Sequence, residues 1–252
     1  MEAARVGTSG WIYKSWAQTF YPPDVGKTGH LEHYARRFDT VEINASFYRL
    51  PPAETARAWS KKVPRDFVFA LKGSRFITHM KKLAVDGRSI EIFFERARML
   101  GRKLGPILWQ LPPQLGYDPE RLERFLKTVP RRHSHAVEFR HPSWYDHETT
   151  FDILRERRAA HVCVSSLGMA RNLAVTADFT YVRFHGLDGG AAHDYTRREL
   201  RPWADHCRRC LETGVAVYAY FNNDANTRAP KNADTFREMI GVVTPAARAA
   251  SR

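Results

Sequence analysis

Apolar, β-branched and aromatic residues gather into short runs along this chain, separated by polar segments with helical spacing. The runs are Arg5–Ser9, Thr40–Asn44, Val68–Lys72, Pro106–Leu111, Ala136–Arg140, His161–Ser165, Tyr181–His185 and Val215–Asn222. Their length and composition predict strands. Between them the pattern predicts helices over Leu31–Phe38, Ala53–Val63, Ser89–Leu104, Pro119–Thr128, Thr149–Arg158 and Arg198–Thr213, and Ala233–Ile240 follows the eighth run. Strands alternating with helices call for parallel crossover units. Eight units in 252 residues match an α/β fold of the TIM type, a (β/α)8 parallel barrel. The sixth unit is irregular, since Ser166–Thr180 holds at most a short helix. A doubly wound open sheet is the alternative, but no Gly-x-Gly-x-x-Gly follows the first strand. No Pro/Gly/Ser-rich linker divides the chain, so residues 1–243 are expected to form one domain. The small, basic stretch 244–252 reads as a disordered tail.

Side chains alternate faces along a strand, so the apolar positions assign the rest. Val41 and Ile43 leave Glu42 and Asn44 facing the barrel interior, and Phe69 and Leu71 leave Ala70 and Lys72. By the same parity Gln110, then Glu138 with Arg140, then Arg183 with His185 face inward. On the last strand Tyr218, Tyr220 and Asn222 face inward. On the sixth, Val162 and Val164 leave Cys163 and Ser165 inward. The runs thus end in polar or ionisable inward positions, which are costly in a dry core. They converge on the C-terminal mouth, where this fold carries its active sites. Glu42 and Glu138 stand against Lys72, Arg140 and Arg183, an excess of one positive charge before His185 is counted. A bound carboxylate, phosphate or sulfate would balance it. A closed ion-pair network tying the barrel top together is the structural alternative.

Charge and cysteine content narrow the class. Forty Lys and Arg against 27 Asp and Glu give a formal charge of +13. The basic doublets are dispersed, from Arg36-Arg37 to Arg208-Arg209, as on solvated helix faces. A basic surface also attracts polyanions, so nucleic acid is kept as a possible partner. No apolar run is long enough to span a membrane, so no membrane partner is expected. Three cysteines and no signal-peptide layout at Met1–Gly10 point to a cytoplasmic protein.

Two connections are long, as functional loops often are. Trp11–Gly29 carries Trp11, Tyr13, Trp16, Phe20 and Tyr21, which read either as a stacking surface or as a plug for one barrel end. Gly73–Gly87 carries Arg75, His79, Lys81 and Lys82. No metal and no cofactor are expected. Glu42, Glu138 and His185 form a conceivable ligand set, but the adjacent cations oppose it. Cys207-x-x-Cys210 beside His206 lacks the second pair of a structural zinc site. The signatures of P-loop NTPases, elbow-type hydrolases and zincins are absent from the sequence.

Several ordered blocks carry a family resemblance. They are Val6-Gly7-Thr8-Ser9-Gly10-Trp11, Val41-Glu42-Ile43-Asn44 with Ser46-Phe47-Tyr48, and Phe69-Ala70-Leu71-Lys72. Further along come Gln110-Leu111-Pro112-Pro113, Glu138-Phe139-Arg140 with Ser143-Trp144, Arg183-Phe184-His185-Gly186, Tyr220-Phe221-Asn222-Asn223 and Asn232-Ala233. From about Val6 to about Ile240 the chain resembles the domain-of-unknown-function 72, or YecE-like, family. The resemblance implies a TIM-barrel-like fold and brings no reaction with it. The polar, Arg-containing stretch Asp224–Pro230 departs from a Gly- and His- or Ala-containing segment in relatives.

The residues point first to an enzyme using acid–base chemistry on a small anionic, possibly phosphorylated, substrate at the barrel mouth. Glu42, Glu138, Lys72 and His185 are the expected catalytic residues. Lys72 is a candidate oxyanion stabiliser or Schiff-base former, and His185 a proton shuttle. Asn44, Tyr48, Gln110, Arg140, Trp144, Arg183, Tyr220, Asn222 and Asn223 are the expected substrate-binding positions. The alternatives are a protein that binds or cleaves nucleic acid at the same mouth, and a non-catalytic metabolite sensor.

Overall fold

The computed structural model describes residues 4–243; the tail expected at 244–252 lies outside them. Eight strands run in chain order as β1 (Ala4–Thr8), β2 (Thr40–Ile43), β3 (Val68–Lys72), β4 (Leu104–Gln110), β5 (His135–Glu138), β6 (Ala159–Ser166), β7 (Phe179–Gly186) and β8 (Ala216–Phe221). They form one sheet in the order β1-β8-β7-β6-β5-β4-β3-β2, with every pairing parallel. The helices are α1 (His30–Arg37), α2 (Ala45–Tyr48), α3 (Ala53–Lys62), α4 (Gly87–Ala97), α5 (Pro119–Thr128), α6 (Glu148–Arg157), α7 (Arg197–Glu212) and α8 (Arg228–Met239). This is the expected α/β barrel, and β6 passes to β7 without a helix between them.

Two layers of apolar side chains hold it. Outside the sheet, Trp109 of β4 meets Phe93 of α4 and Phe125 of α5, with ring centroids 5.2 and 5.0 Å away. Inside, small residues of β3, β5 and β6 (Ala70, Ala136, Ala160) leave room for Phe179, Tyr181 and Tyr220 of β7 and β8. Small facing large fills the lumen to the close packing of a protein interior.

The β1–β2 seam closes differently from the rest. One bridge, Ser9 to Glu42, joins the two strand ends. Below it, the Thr8 amide donates to the Tyr34 hydroxyl of α1, which donates to the Thr40 carbonyl, both at 3.0 Å. A Cβ on Gly7 would stand 2.3 Å from the Thr40 oxygen, so only glycine permits this approach.

Three expectations are corrected. On β6 the parity is reversed. Val162 and Val164 join the interior cluster, while Cys163 faces the outer layer with His161 and Thr180. Both faces of this strand are buried, so alternation of polarity had nothing to report. Of the aromatics of the Trp11–Gly29 loop, Tyr13 is half-buried at the mouth, where its hydroxyl donates to the Ser9 carbonyl, but the others provide neither a stacking surface nor a barrel plug. Trp16, Phe20 and Tyr21 are buried against α1, with Tyr21 stacked on His30 at 3.8 Å. Finally, the predicted helix Ser89–Leu104 ends at Ala97; a 3-10 segment follows, and Leu104 already belongs to β4.

A candidate active site at the barrel mouth

The interior polar residues at the strand ends meet in one cluster. Arg183 of β7 crosses the lumen to β2. Its Nε and Nη2 donate to the two oxygens of Glu42 at 3.0 and 2.7 Å, and its Nη1 donates to Glu138 of β5 at 2.7 Å. Both carboxylates and the guanidinium are almost wholly buried. Ser9 and Tyr181 hydroxyls also donate to Glu42, at 2.7 and 2.6 Å, so four hydrogen bonds occupy this carboxylate. Gln110, paired with Glu138 in the β4–β5 register, donates its amide to Glu138 at 2.7 Å. Arg140 donates its Nε to the same oxygen.

Burial pushes both carboxyls up, but Arg183 outweighs it and holds Glu42 below its ordinary value. Arg183 and Arg140 together hold Glu138 well below its own. The lattice Glu42–Arg183–Glu138–Arg140 is therefore ionised and internally neutral.

His185 lies at its edge. Arg140 Nη2 and Arg183 Nη1 approach its Nε2 at 2.8 and 3.0 Å. Guanidinium nitrogens only donate, so Nε2 presents its lone pair and the ring proton sits on Nδ1. Burial and the Arg183 charge push this histidine down to about 4. Its Nδ1 is 3.1 Å from the Asn222 amide, which is 3.3 Å from the Asn44 amide.

Lys72 stands apart. Its ammonium rests 4.3 Å from the Phe47 ring centroid. Among the described residues, no carboxylate lies within 4.0 Å of it. Burial, followed by the Arg183 charge, pushes it down to about 8.

The remaining expected positions scatter. Asn44, Gln110, Arg140 and Asn222 belong to the cluster just described. Tyr48 ends α2 at the rim and is 80% exposed. Trp144 is buried outside the barrel, stacked on Phe139 at 4.7 Å with its indole donating to the Leu115 carbonyl. Tyr220 lies deeper in the lumen, 2.7 Å from the Thr40 hydroxyl. Asn223 is buried among Asn232 and the His193 carbonyl and braces the connections around α8. Sequence reasoning passed over Ser9, Tyr181 and Phe47. Strand parity extended along β1 and down β7 would have found the first two. Phe47 sits on a one-turn helix with no period to read.

The conceivable metal set does not converge, because Arg183 engages both oxygens of Glu42 and one of Glu138. Among the described residues no group of three or more His, Cys, Asp or Glu is placed to hold a metal. Cys163, Cys207 and Cys210 are buried free thiols, with Cys210 Sγ 3.6 Å from His206 Nε2. Among the described residues no helix is long and apolar enough to cross a membrane.

Comparison with known proteins agrees with the fold. The family model described as "Protein of unknown function DUF72" matches residues 5–251. The UPF0759 protein YunF of Bacillus subtilis is 26% identical over 269 residues, covering 94% of each chain. The UPF0759 protein YecE of Escherichia coli is 30% identical over 141 residues, covering 56% of this chain and 49% of its own. A crystal structure of a DUF72 family protein from Thermotoga maritima superposes with a TM-score of 0.86 at 27% identity, covering 94% of this chain and 99% of that one. One from Enterococcus faecalis, 21% identical over 96% of this chain and 99% of that one, superposes with a TM-score of 0.81 and shares the fold. With its barrel and nearly its whole length accounted for in this way, the chain belongs to the DUF72 family.

Proposed function

We propose that the protein is an enzyme that holds a small anionic substrate at the C-terminal mouth of its barrel and acts on it by proton transfer. One observation carries this reading: when Glu42, Glu138, Arg183 and Arg140 are matched, Lys72 is left without a carboxylate. A semi-buried unmatched cation costs stability unless a ligand uses it.

In this reading Lys72 and Arg140 receive the anionic group, and Asn44 and Asn222 orient the rest. Glu42 and Glu138 work by position. Their oxygens are engaged and their acidity is high, so they fix Arg183 rather than exchange protons. Proton transfer centres on Lys72, which near 8 populates both protonation states around neutral pH. His185 remains a neutral imidazole beside Asn222, whose amide accepts an Nδ1 proton only when it turns its oxygen toward the ring.

The test is calorimetric titration of inorganic phosphate and of pyruvate into the wild type and Lys72→Met. Binding by the wild type that the variant loses supports the site; equal binding, or none by either protein, overturns it. Binding without turnover of any compound would make the protein a sensor. Nucleic-acid binding has lost the stacking surface expected for it, because Trp11, Trp16, Phe20 and Tyr21 are buried. A single-stranded oligonucleotide that binds in a steeply salt-dependent way would restore it.

A further inference from the structure

We propose that Lys72 is a Schiff-base nucleophile and that the substrate is a small carbonyl compound bearing an anionic group. The proposal rests on the mouth being a small-anion site and names the class of anion.

The surroundings of the amine favour its neutral form. Phe47 covers one side of it and keeps water away, although the ring face itself attracts the ammonium, so the balance toward the neutral amine comes from burial and the neighbouring Arg183 charge. The charged and titratable groups that face it are Arg183 from β7, Glu138 and Arg140 from the end of β5, Glu42 from β2, and His79 from the turn after β3. Both carboxylates are tied to Arg183, so neither forms an ion pair with the lysine. A lysine kept only to grip phosphate gains from staying charged, whereas a desolvated lysine beside other cations is arranged for attack.

Two polar groups beside it are incompletely satisfied by the protein. Arg140 gives its Nε to Glu138 and its Nη2 to His185, but among the described residues Nη1 meets only the Met169 thioether, at 3.7 Å. A thioether is a weak acceptor, so a carboxylate or phosphate oxygen would replace it with gain. Asn44 follows Ile43, which pairs with Leu71, so it stands just past the end of β2 beside Lys72. Its Oδ1 is buried and has no hydrogen-bond partner among the described residues. Arg140 and the charged fraction of Lys72 thus draw in the anionic group, and Arg140 holds it while the neutral Lys72 nitrogen faces the carbonyl carbon beside it.

The step balances without any added oxidant or reductant. The Nζ lone pair attacks the carbonyl carbon and a C–N bond forms. The carbonyl oxygen takes up, in net, both protons of the neutral amine and leaves as water. A C=N double bond to Lys72 remains.

The experiment incubates the protein with pyruvate or with dihydroxyacetone phosphate in the presence of cyanoborohydride, then maps the reduced adduct by peptide mass. The two probes separate a carboxylate from a phosphate as the anionic group. Lys72 should be labelled about tenfold faster than any other lysine, because more of it is free amine. Labelling by acetone, which carries no anion, should be slower at Lys72, and Lys72→Met should lose the adduct. Uniform labelling of lysines, or none at Lys72 with either probe, overturns the imine. Calorimetry with lactate, an anion without a carbonyl, then separates the two readings. Lactate binding without labelling leaves the anion site standing and removes the nucleophile; neither binding nor labelling removes both.

Discussion

Nη1 of Arg183 lies 3.0 Å from Nε2 of His185, two positions further along β7. A cation that can only donate at this distance forbids a proton on that nitrogen. NMR of the ring should therefore show one neutral Nδ1–H tautomer down to about pH 4. Unfolded, the same residue takes its proton near pH 6.5. Between those values the unfolded chain binds more protons, so stability falls as pH falls, by about 3 kcal/mol at most from this residue. His135 and His161, buried and also pushed down to about 4, add to the same decline. Thermal unfolding followed from pH 7 to pH 4.5 should show it, and a His185 that titrates at its ordinary value would refute the arrangement.

Arg183→Met should be severely destabilising. It leaves Glu42 and Glu138 buried with their central counter-ion gone, a loss of about 3–5 kcal/mol. Without the guanidinium, burial would raise both carboxyls, so the deficit should shrink as acid protonates them. Urea unfolding of the variant and wild type at pH 7.5 and pH 5 measures this, and a deficit independent of pH would contradict it.

Lys72→Met should do the opposite. The folded protein lowers this amine to about 8 from 10.5, so below pH 8 the charge is fully present and its burial cost undiminished. Removing it should stabilise the protein at pH 7 by about 1–3 kcal/mol, a gain that fades as pH rises toward 10. A variant with a lower Tm than wild type would show that Lys72 is a structural prop.

Tyr34→Phe should loosen the seam. The phenol links the Thr8 amide to the Thr40 carbonyl, and its loss strands a buried donor, at a cost of about 1–3 kcal/mol. Hydrogen exchange should accelerate at the Thr8 amide ahead of the amides of β4 and β5. Equal protection in both proteins would mean that the strands close without it.

The barrel and its charged lining were legible because one face of most strands is uniformly apolar. Phe69 and Leu71 against Lys72, or Val137 and Phe139 against Glu138, leave one solution. Where that contrast disappears, as at Val162, Cys163 and Val164, parity gives no answer. The sequence also carried the number of charges in the mouth but not their pairing. Nothing in the spacing of Glu42, Glu138 and Arg183 says that one guanidinium spans the lumen to hold both acids, because β2, β5 and β7 are brought together only by closure of the sheet. Trp144 and Asn223 were expected at the site as members of the blocks that carry the family resemblance, alongside Glu138, Arg140 and Asn222. The structure instead packs Trp144 on Phe139 with its indole on the Leu115 carbonyl, and sets Asn223 against Asn232 of α8.

Glu42 takes a hydroxyl from Ser9 on the far side of the β1–β2 gap and a guanidinium from across the lumen. The last stitch of the cylinder and the keystone of its ionic floor are therefore one carboxylate. A nascent or nicked chain whose ends have not met would lack Ser9 at that keystone and would present a disarranged opening. Competence at the mouth then arrives all at once, with the ring.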